Sequence, residues 1–230
     1  MDKSIIGITE RGDAALDPAW TDWVEQGRPA ILISKDPMRL YLRLTSHVVN
    51  PVPNIIVHAT ITGFGGTQLE PNVPKAAGAL KGYENLIELL GVKRVVLRVD
   101  PIIPSVFGAQ TAEEIANQAK GRVRISFIDQ YPHVKERLFD AHMSLEWESF
   151  HAPLGLRKKI WEDMGRPEIC GEPGFECTGC VSKLDCETLG VLPGEIDGKQ
   201  RQYCACLTNK KELLKSRAQC AHRCLYCYWR

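Results

Sequence analysis

Two hydrophobic periods take turns along the chain up to about residue 165. Short stretches swap apolar and polar residues at every second position. Between them lie stretches with apolar residues at i, i+3, i+4 and i+7. The first pattern predicts strands and the second helices. Strands are expected at residues 4–9, 30–35, 54–62, 94–102 and 123–129, the second halted by Asp36-Pro37. A helix is expected at 16–27, where Trp20, Trp23 and Val24 share a face that reads as core packing. Others are expected where Tyr83, Leu86, Ile87 and Leu90 precede Gly91, from a capping box at Thr111-Ala-Glu-Glu114, at 134–150 and at 156–164.

The strand faces are unequal. In 54–62, Ile55, Val57, Ala59 and Ile61 fall on one side, and Ile56, His58, Thr60 and Thr62 on the other. Residues 94–102 set Val95, Leu97 and Val99 against Arg94, Val96, Arg98 and Asp100; in 123–129, Arg124 and Ser126 oppose Val123, Ile125 and Phe127. A central strand packed on both sides is apolar on both. One face of this sheet therefore meets water or a ligand. Strand–helix alternation implies a parallel sheet covered on its outer side. With polar inner faces, the expected class is α/β, a partial (β/α) TIM-like barrel. Ligands of such sheets lie at the carboxyl ends of the strands, where Lys35, Thr62 and Asp100 fall. Arg98 with Asp100 reads either as a structural ion pair or as a grip on a ligand. The Gly63-Phe-Gly65-Gly66 turn matches no phosphate loop.

Past residue 165 the periodicity fades, and Gly, Pro and Cys accumulate. The chain therefore divides into a partial β/α barrel at 1–165 and a cysteine-rich segment at 166–230 that closes it. All nine cysteines lie in the second part. An odd count without a secretory signal fits a disulfide framework poorly, so metal binding in a reducing cytoplasm is expected. No stretch of eighteen apolar residues suggests a membrane span. The net charge of +1 argues against wholesale nucleic-acid coating. From Lys199 onward, however, Lys199, Arg201, Lys210, Lys211, Lys215, Arg217, Arg223 and Arg230 face only Glu212. That surface reads either as a solvated loop or as an attraction for phosphate.

The most specific motif is Cys220-Ala-His-Arg-Cys224-Leu-Tyr-Cys227. Three thiolates at this spacing can converge on one face of an iron–sulfur cluster. A cubane needs four ligands, so one iron stays open. A zinc knuckle, the alternative, usually shows paired Cys-x-x-Cys or Cys/His ligands.

The motif, with Tyr226 before its third cysteine, resembles that of radical S-adenosylmethionine (SAM) enzymes. The likeness extends through Thr62-Gly-Phe-Gly, Leu69-Glu-Pro-Asn-Val-Pro74, Arg98-Val-Asp100-Pro-Ile-Ile-Pro104, Ile125-Ser-Phe-Ile-Asp129 and Gln200-Arg-Gln-Tyr-Cys204-Ala-Cys206. The chain resembles a family related to the spore photoproduct lyase and DNA repair photolyase branch, circularly permuted so that its cysteine motif is C-terminal. It departs from that family at Glu10-Arg11-Gly12-Asp13, at Ser34-Lys35-Asp36-Pro37 and in its extra Cys177 and Cys180.

The resemblance implies a 4Fe-4S cluster on Cys220, Cys224 and Cys227, with SAM on the open iron. Reductive cleavage then gives a 5′-deoxyadenosyl radical that takes hydrogen from a substrate, a thymine-derived base or nucleotide in DNA by analogy. It implies Lys35, Thr60, Thr62, Arg98, Ser126 and Tyr226 as cofactor-binding residues, with Arg98 and Asp100 catalytic and Glu70 left open between a buried role and a surface turn. A second 4Fe-4S cluster is implied on Cys170, Cys186, Cys204 and Cys206. A competing local reading pairs Cys177 and Cys180 with Cys186 or Cys170, or assigns that pair to zinc. The implied partners are a flavodoxin- or ferredoxin-type reductant and a nucleotide or DNA, without a membrane. Two other function classes stay open: a two-cluster electron carrier and a zinc-stabilised nucleic-acid-binding protein.

Overall fold

The computed structural model describes residues 5–46, 54–196, 202–214 and 220–228. Seven strands form one sheet: β1 (Ile6–Ile8), β2 (Ala30–Ser34), β3 (Ile55–Thr60), β4 (Val95–Ile102), β5 (Val123–Phe127), β6 (Glu168–Ile169) and β7 (Lys210–Glu212). Their order is β6-β5-β4-β3-β2-β1-β7, and every pairing is parallel. From β1 to β6 each new strand is added on the same side. The sheet is thus wound in one direction and curls into a half-barrel, as the strand–helix alternation predicts. The cysteine-rich segment adds both outermost strands. Neither was expected, because two or three residues are too few to show a period, and β7 reads Lys-Lys-Glu.

Helices α1 (Thr21–Glu25), α2 (Pro37–Ser46), α3 (Ala76–Leu90), α4 (Val106–Ala116) and α6 (Leu154–Asp163) cover the convex face. Trp23, Leu40, Tyr83, Leu86, Ile115 and Ile160 pack there on the inward halves of Val57, Leu97 and Ile125. The expected alternation therefore sorts the strand residues correctly: Ile55, Val57, Ala59 and Ile61 join that cluster, while Ile56 and Val96 join the concave one. Both tryptophans are buried, and their indole N–H groups donate to Ala14 and Pro29 carbonyls at 2.8 and 2.9 Å.

Three helix expectations need correction. The helix starting at Thr111 begins earlier, because the Ser105 hydroxyl accepts from Gly108 N–H at 3.0 Å and caps α4. The helix at 134–150 is α5 (Pro132–Asp140); His142 takes a φ of 56°, and the chain folds back so that Glu148 accepts from Lys135. The first helix is only α1, with tight turns before it. Within the cysteine-rich segment, Ser182 and Asp185 form a capping box that starts α7 (Lys183–Leu189) on the concave face.

Candidate thiol-lined ligand site

Three pieces of chain meet over the carboxyl ends of β2 to β5. The loop after β1 contributes Asp13, which accepts from the Ser34 hydroxyl at 2.7 Å and Lys35 N–H at 2.6 Å. The turn after β3 contributes Glu70. Gly65 lets this turn close, since a Cβ there would stand 1.9 Å from the Pro74 carbonyl oxygen. Glu70 is 1% exposed, so the surface-turn reading fails. Its carboxylate accepts from Lys35 Nζ at 2.9 Å, from Thr62 at 2.6 Å and from the Tyr226 hydroxyl. The third piece is the terminal loop. Leu225 N–H donates to the Leu69 carbonyl at 3.0 Å, and the Asn72 amide donates to Ala221 at 2.7 Å. His222 spans Asn72 O at 3.1 Å and Asp13 Oδ2 at 2.8 Å.

These contacts enclose a cavity of about 160 Å³. Cys220, Cys224 and Cys227 line one side. Lys35, Thr60, Arg98, Asp100 and Ser126 line the other. Arg98 pairs with Asp100 at 2.6 Å, and Ser126 donates to the same carboxylate. Burial pushes the Cys224 thiol up to about 12; Lys35 pulls it down, and Glu70, Cys227 and Cys220 add to the rise. Burial alone would lower the Lys35 pKa, but the charges of Glu70, Cys224 and Asp100 hold it above the ordinary lysine value.

The residues named from sequence divide accordingly. Thr60 is 2% exposed, and its hydroxyl has no hydrogen-bond partner. A buried orphan hydroxyl at a cavity wall is what a polar ligand leaves behind when it is not in place. Thr62 serves Glu70 and does not line the cavity. Lys35 donates to Glu70, to the Asp100 carbonyl at 2.9 Å and to the Tyr226 hydroxyl at 3.0 Å. Those bonds use its three N–H groups, so Lys35 ties the terminal loop to the strand ends. Tyr226 is the other end of that tie. Asp13 and His222 escaped the sequence reading; a signal existed in the histidine inside the cysteine motif, but nothing local shows that its partner lies at residue 13.

A second thiol group sits deeper, under Arg98. Cys170 and Cys180 stand 3.7 Å apart, sulfur to sulfur. The Cys206 thiol lies against both Cys180 and Cys204. Cys180 and Cys206 each stand at about 12: one neighbouring thiol's bond lowers each, but another thiol and burial outweigh it. Cys186 does not join them. It lies in α7, where its sulfur accepts from the Asn209 amide at 3.9 Å. Cys180, which the competing reading set with Cys177 and with Cys186 or Cys170, stands beside Cys170.

Of the basic tail, Lys199, Arg201, Lys215, Arg217 and Arg230 lie outside the described residues. Lys210 is spent on Glu10 at 2.7 Å, and Lys211 lies 5.4 Å from the Trp23 ring centre.

Fold and site together define an α/β half-barrel protein with a thiol-lined cavity at the carboxyl ends of its strands. The chain belongs to the family described as a domain of unknown function, DUF1848, whose model matches residues 25–229. No curated protein and no solved structure matches it. No helix among the described residues is long and apolar enough to cross a membrane.

Proposed function

We propose that the protein is a radical SAM enzyme working at the cavity between the terminal cysteine loop and the strand ends. One observation carries this reading: three cysteines from a single loop open onto the same cavity as Arg98, Asp100 and the unpartnered Thr60 hydroxyl. An electron carrier needs no such cavity, which disfavours the two-cluster alternative. The donor set suits a 4Fe-4S cluster with one iron left for SAM. Cys220, Cys224 and Cys227 would hold the cluster, and with SAM bound it would supply reductive cleavage of the sulfonium C5′–S bond, the source of a radical that takes hydrogen from the substrate.

The chain's own residues hold and shield this chemistry. Thr60 offers a hydrogen bond to the ligand. The Arg98–Asp100 pair sets a fixed dipole against it, with Ser126 orienting the carboxylate. Lys35, Glu70 and Tyr226 fix the height of the cysteine loop over the strands. Tyr131 and Tyr228, both lining the cavity, stack with centroids 5.9 Å apart and an interplanar angle of 25°. Such a wall suits a planar ring, either the adenine of SAM or a thymine-type base of a nucleotide or DNA. The electron would come from a flavodoxin- or ferredoxin-type protein. The circular permutation belongs to this proposal.

The test is anaerobic reconstitution with iron and sulfide, followed by SAM and a strong reductant. 5′-Deoxyadenosine is the expected product. A protein with a full cluster that makes none overturns the reading.

A further inference from the structure

The inner sulfurs form a row. Cys170 touches Cys180 at 3.7 Å, Cys180 bonds Cys206, and Cys206 bonds Cys204. They do not converge on one point. Among the described residues, the ligand atoms that all stand within 4.8 Å of one another are those of Glu10, Cys180 and Cys206. Both Glu10 oxygens are held by Lys210, at 2.9 and 2.7 Å. Cys186 stands apart, bonded by Asn209. The second 4Fe-4S cluster implied on Cys170, Cys186, Cys204 and Cys206 does not fit this lining, since a cubane needs four thiolates gathered around it.

We propose that the row is a thiol–disulfide exchange site: Cys204 takes up a small organic disulfide of the glutathione type, Cys206 resolves it, and the oxidation ends as a Cys170–Cys180 disulfide. Cys204 is the outermost member, half-buried beside the exposed Tyr203, whereas Cys170, Cys180 and Cys206 are buried. Its sulfur accepts from both the thiol and the backbone N–H of Cys206. The thiol bond holds the Cys204 pKa below the ordinary thiol value, against burial and the charges of Cys170 and Cys180. The three buried thiols all stand above that value, so exchange starts at Cys204. A reachable thiolate with a resolving thiol beside it is the arrangement of a redox-responsive cysteine.

The fold then carries the bond inward. Cys170 follows β6, where its N–H donates to Ile125 at 3.0 Å. Cys180 comes from the next loop, whose Thr178 N–H donates to Ile169 at 2.7 Å. Leu207 N–H donates to Val181 at 3.1 Å and sets Cys206 beside Cys180. Gly179 permits the contact, since a Cβ there would stand 2.4 Å from both the N and the Cα of Cys206. Cys180 N–H donates to the Cys206 sulfur at 3.0 Å, which favours a thiolate as exchange passes. Lys210 faces Cys206 and Cys180, and Arg98 and Arg124 face Cys180 and Cys170. Cations so placed stabilise each thiolate in turn.

The steps balance. The Cys204 thiolate attacks one sulfur of the small disulfide, forms a mixed disulfide and expels a thiolate. Cys206 yields its proton to that thiolate, attacks Cys204 and expels the second, which takes a proton from water. Cys180 then attacks Cys206, and Cys170 attacks Cys180, each attacker's proton passing to the sulfur released. Two cysteine thiols are oxidised and one small disulfide is reduced to two thiols. The last bond needs its sulfurs to close from 3.7 Å to about 2.05 Å, a shift of less than about 1 Å each.

The probe is oxidised glutathione, added anaerobically to the full reduced chain as purified, with cysteine peptides then mapped by mass. Wild type should yield joined peptides of Cys170 and Cys180, with Cys204 and Cys206 returned as thiols. Cys206→Ser should stop at a glutathione adduct on Cys204. Cys204→Ser should form the inner disulfide about tenfold more slowly. Its half-buried position keeps the proposal testable should Cys206→Ser not fold. Three results overturn it: Cys204 reacting no faster than the half-buried Cys177, an adduct in wild type that never gives the inner disulfide, or inner thiols that react only after iron or zinc is stripped from them. The mapping uses neither SAM nor 5′-deoxyadenosine, so this proposal and the radical reading fail separately.

Discussion

The two cysteine groups of this half-barrel share a ligand type and little else. The terminal three come from one short loop, face a cavity and lean on strand ends through Lys35, Glu70 and Tyr226. The inner four come from three separate places, are mostly buried, and pack with Ile8, Ile31, Ile33 and Val96. One group lines a cavity; the other is packed into the concave core. The contrast teaches that spacing along the chain reports a local group well, whereas a buried group can be assembled from residues whose spacing carries no message.

The contrast can be broken by substitution. Cys180→Ser, which puts a hydroxyl among buried thiols, should cost the fold the most, about 3 kcal/mol, and more than Cys220→Ser at a partly exposed position. Unfolding midpoints in denaturant of Cys180→Ser and Cys220→Ser check this. A midpoint lowered equally in both would erase the distinction. Next comes Glu70→Ala. It leaves the Lys35 ammonium without its carboxylate, at a cost of about 3 kcal/mol, and frees Tyr226. Loss of iron retention in this variant, alongside lower stability, would tie the terminal loop to its support.

Acid should act on the concave wall. Arg122 donates to Asp185 at 2.7 Å and to Glu168 at 2.7 Å, and Arg124 donates to Glu168 at 2.6 Å. Burial alone would raise the Asp185 pKa. The charges of Arg124, His58 and Arg122 and the Ser182 bond outweigh it and hold the group at about 2. A depressed carboxylate stabilises the fold above its ordinary pKa of 3.8, and the contribution is lost as pH falls through about 2. That is about 2 kcal/mol. Stability measured from pH 5 down to 2 in wild type and Asp185→Asn should differ in slope; parallel curves would refute it.

The smallest effect sharpens the comparison most. Thr60→Val removes a buried hydroxyl that has no partner, so stability should stay level or rise by about 1 kcal/mol. SAM binding should weaken about tenfold, the loss of one hydrogen bond. Calorimetric titration of the reconstituted protein decides; unchanged affinity would remove Thr60 from the site.

Much of this was legible beforehand. The alternation in β3, β4 and β5 separated the helix-covered face from the polar one, because a pleated strand has only two sides. Lys35, Arg98, Asp100 and the terminal cysteines followed, since strand ends and a local motif are both short-range facts. What was hidden is long-range. Glu70 stayed open between a buried role and a surface turn because nothing nearby shows Lys35 and Tyr226 closing over it. The extra pair Cys177 and Cys180 looked alike, yet only Cys180 joins the inner thiols. Cys177 instead bonds the backbone of Glu172. The start of α4 was missed because Thr111-Ala-Glu-Glu114 repeats a cap pattern inside a helix already begun by Ser105.

The placement of β6 and β7 has a mechanical consequence. Both belong to one run of chain, yet they sit at opposite rims of the sheet. Brief rims of two and three residues give a stray strand little to pair with, which guards an unclosed sheet against polymerising.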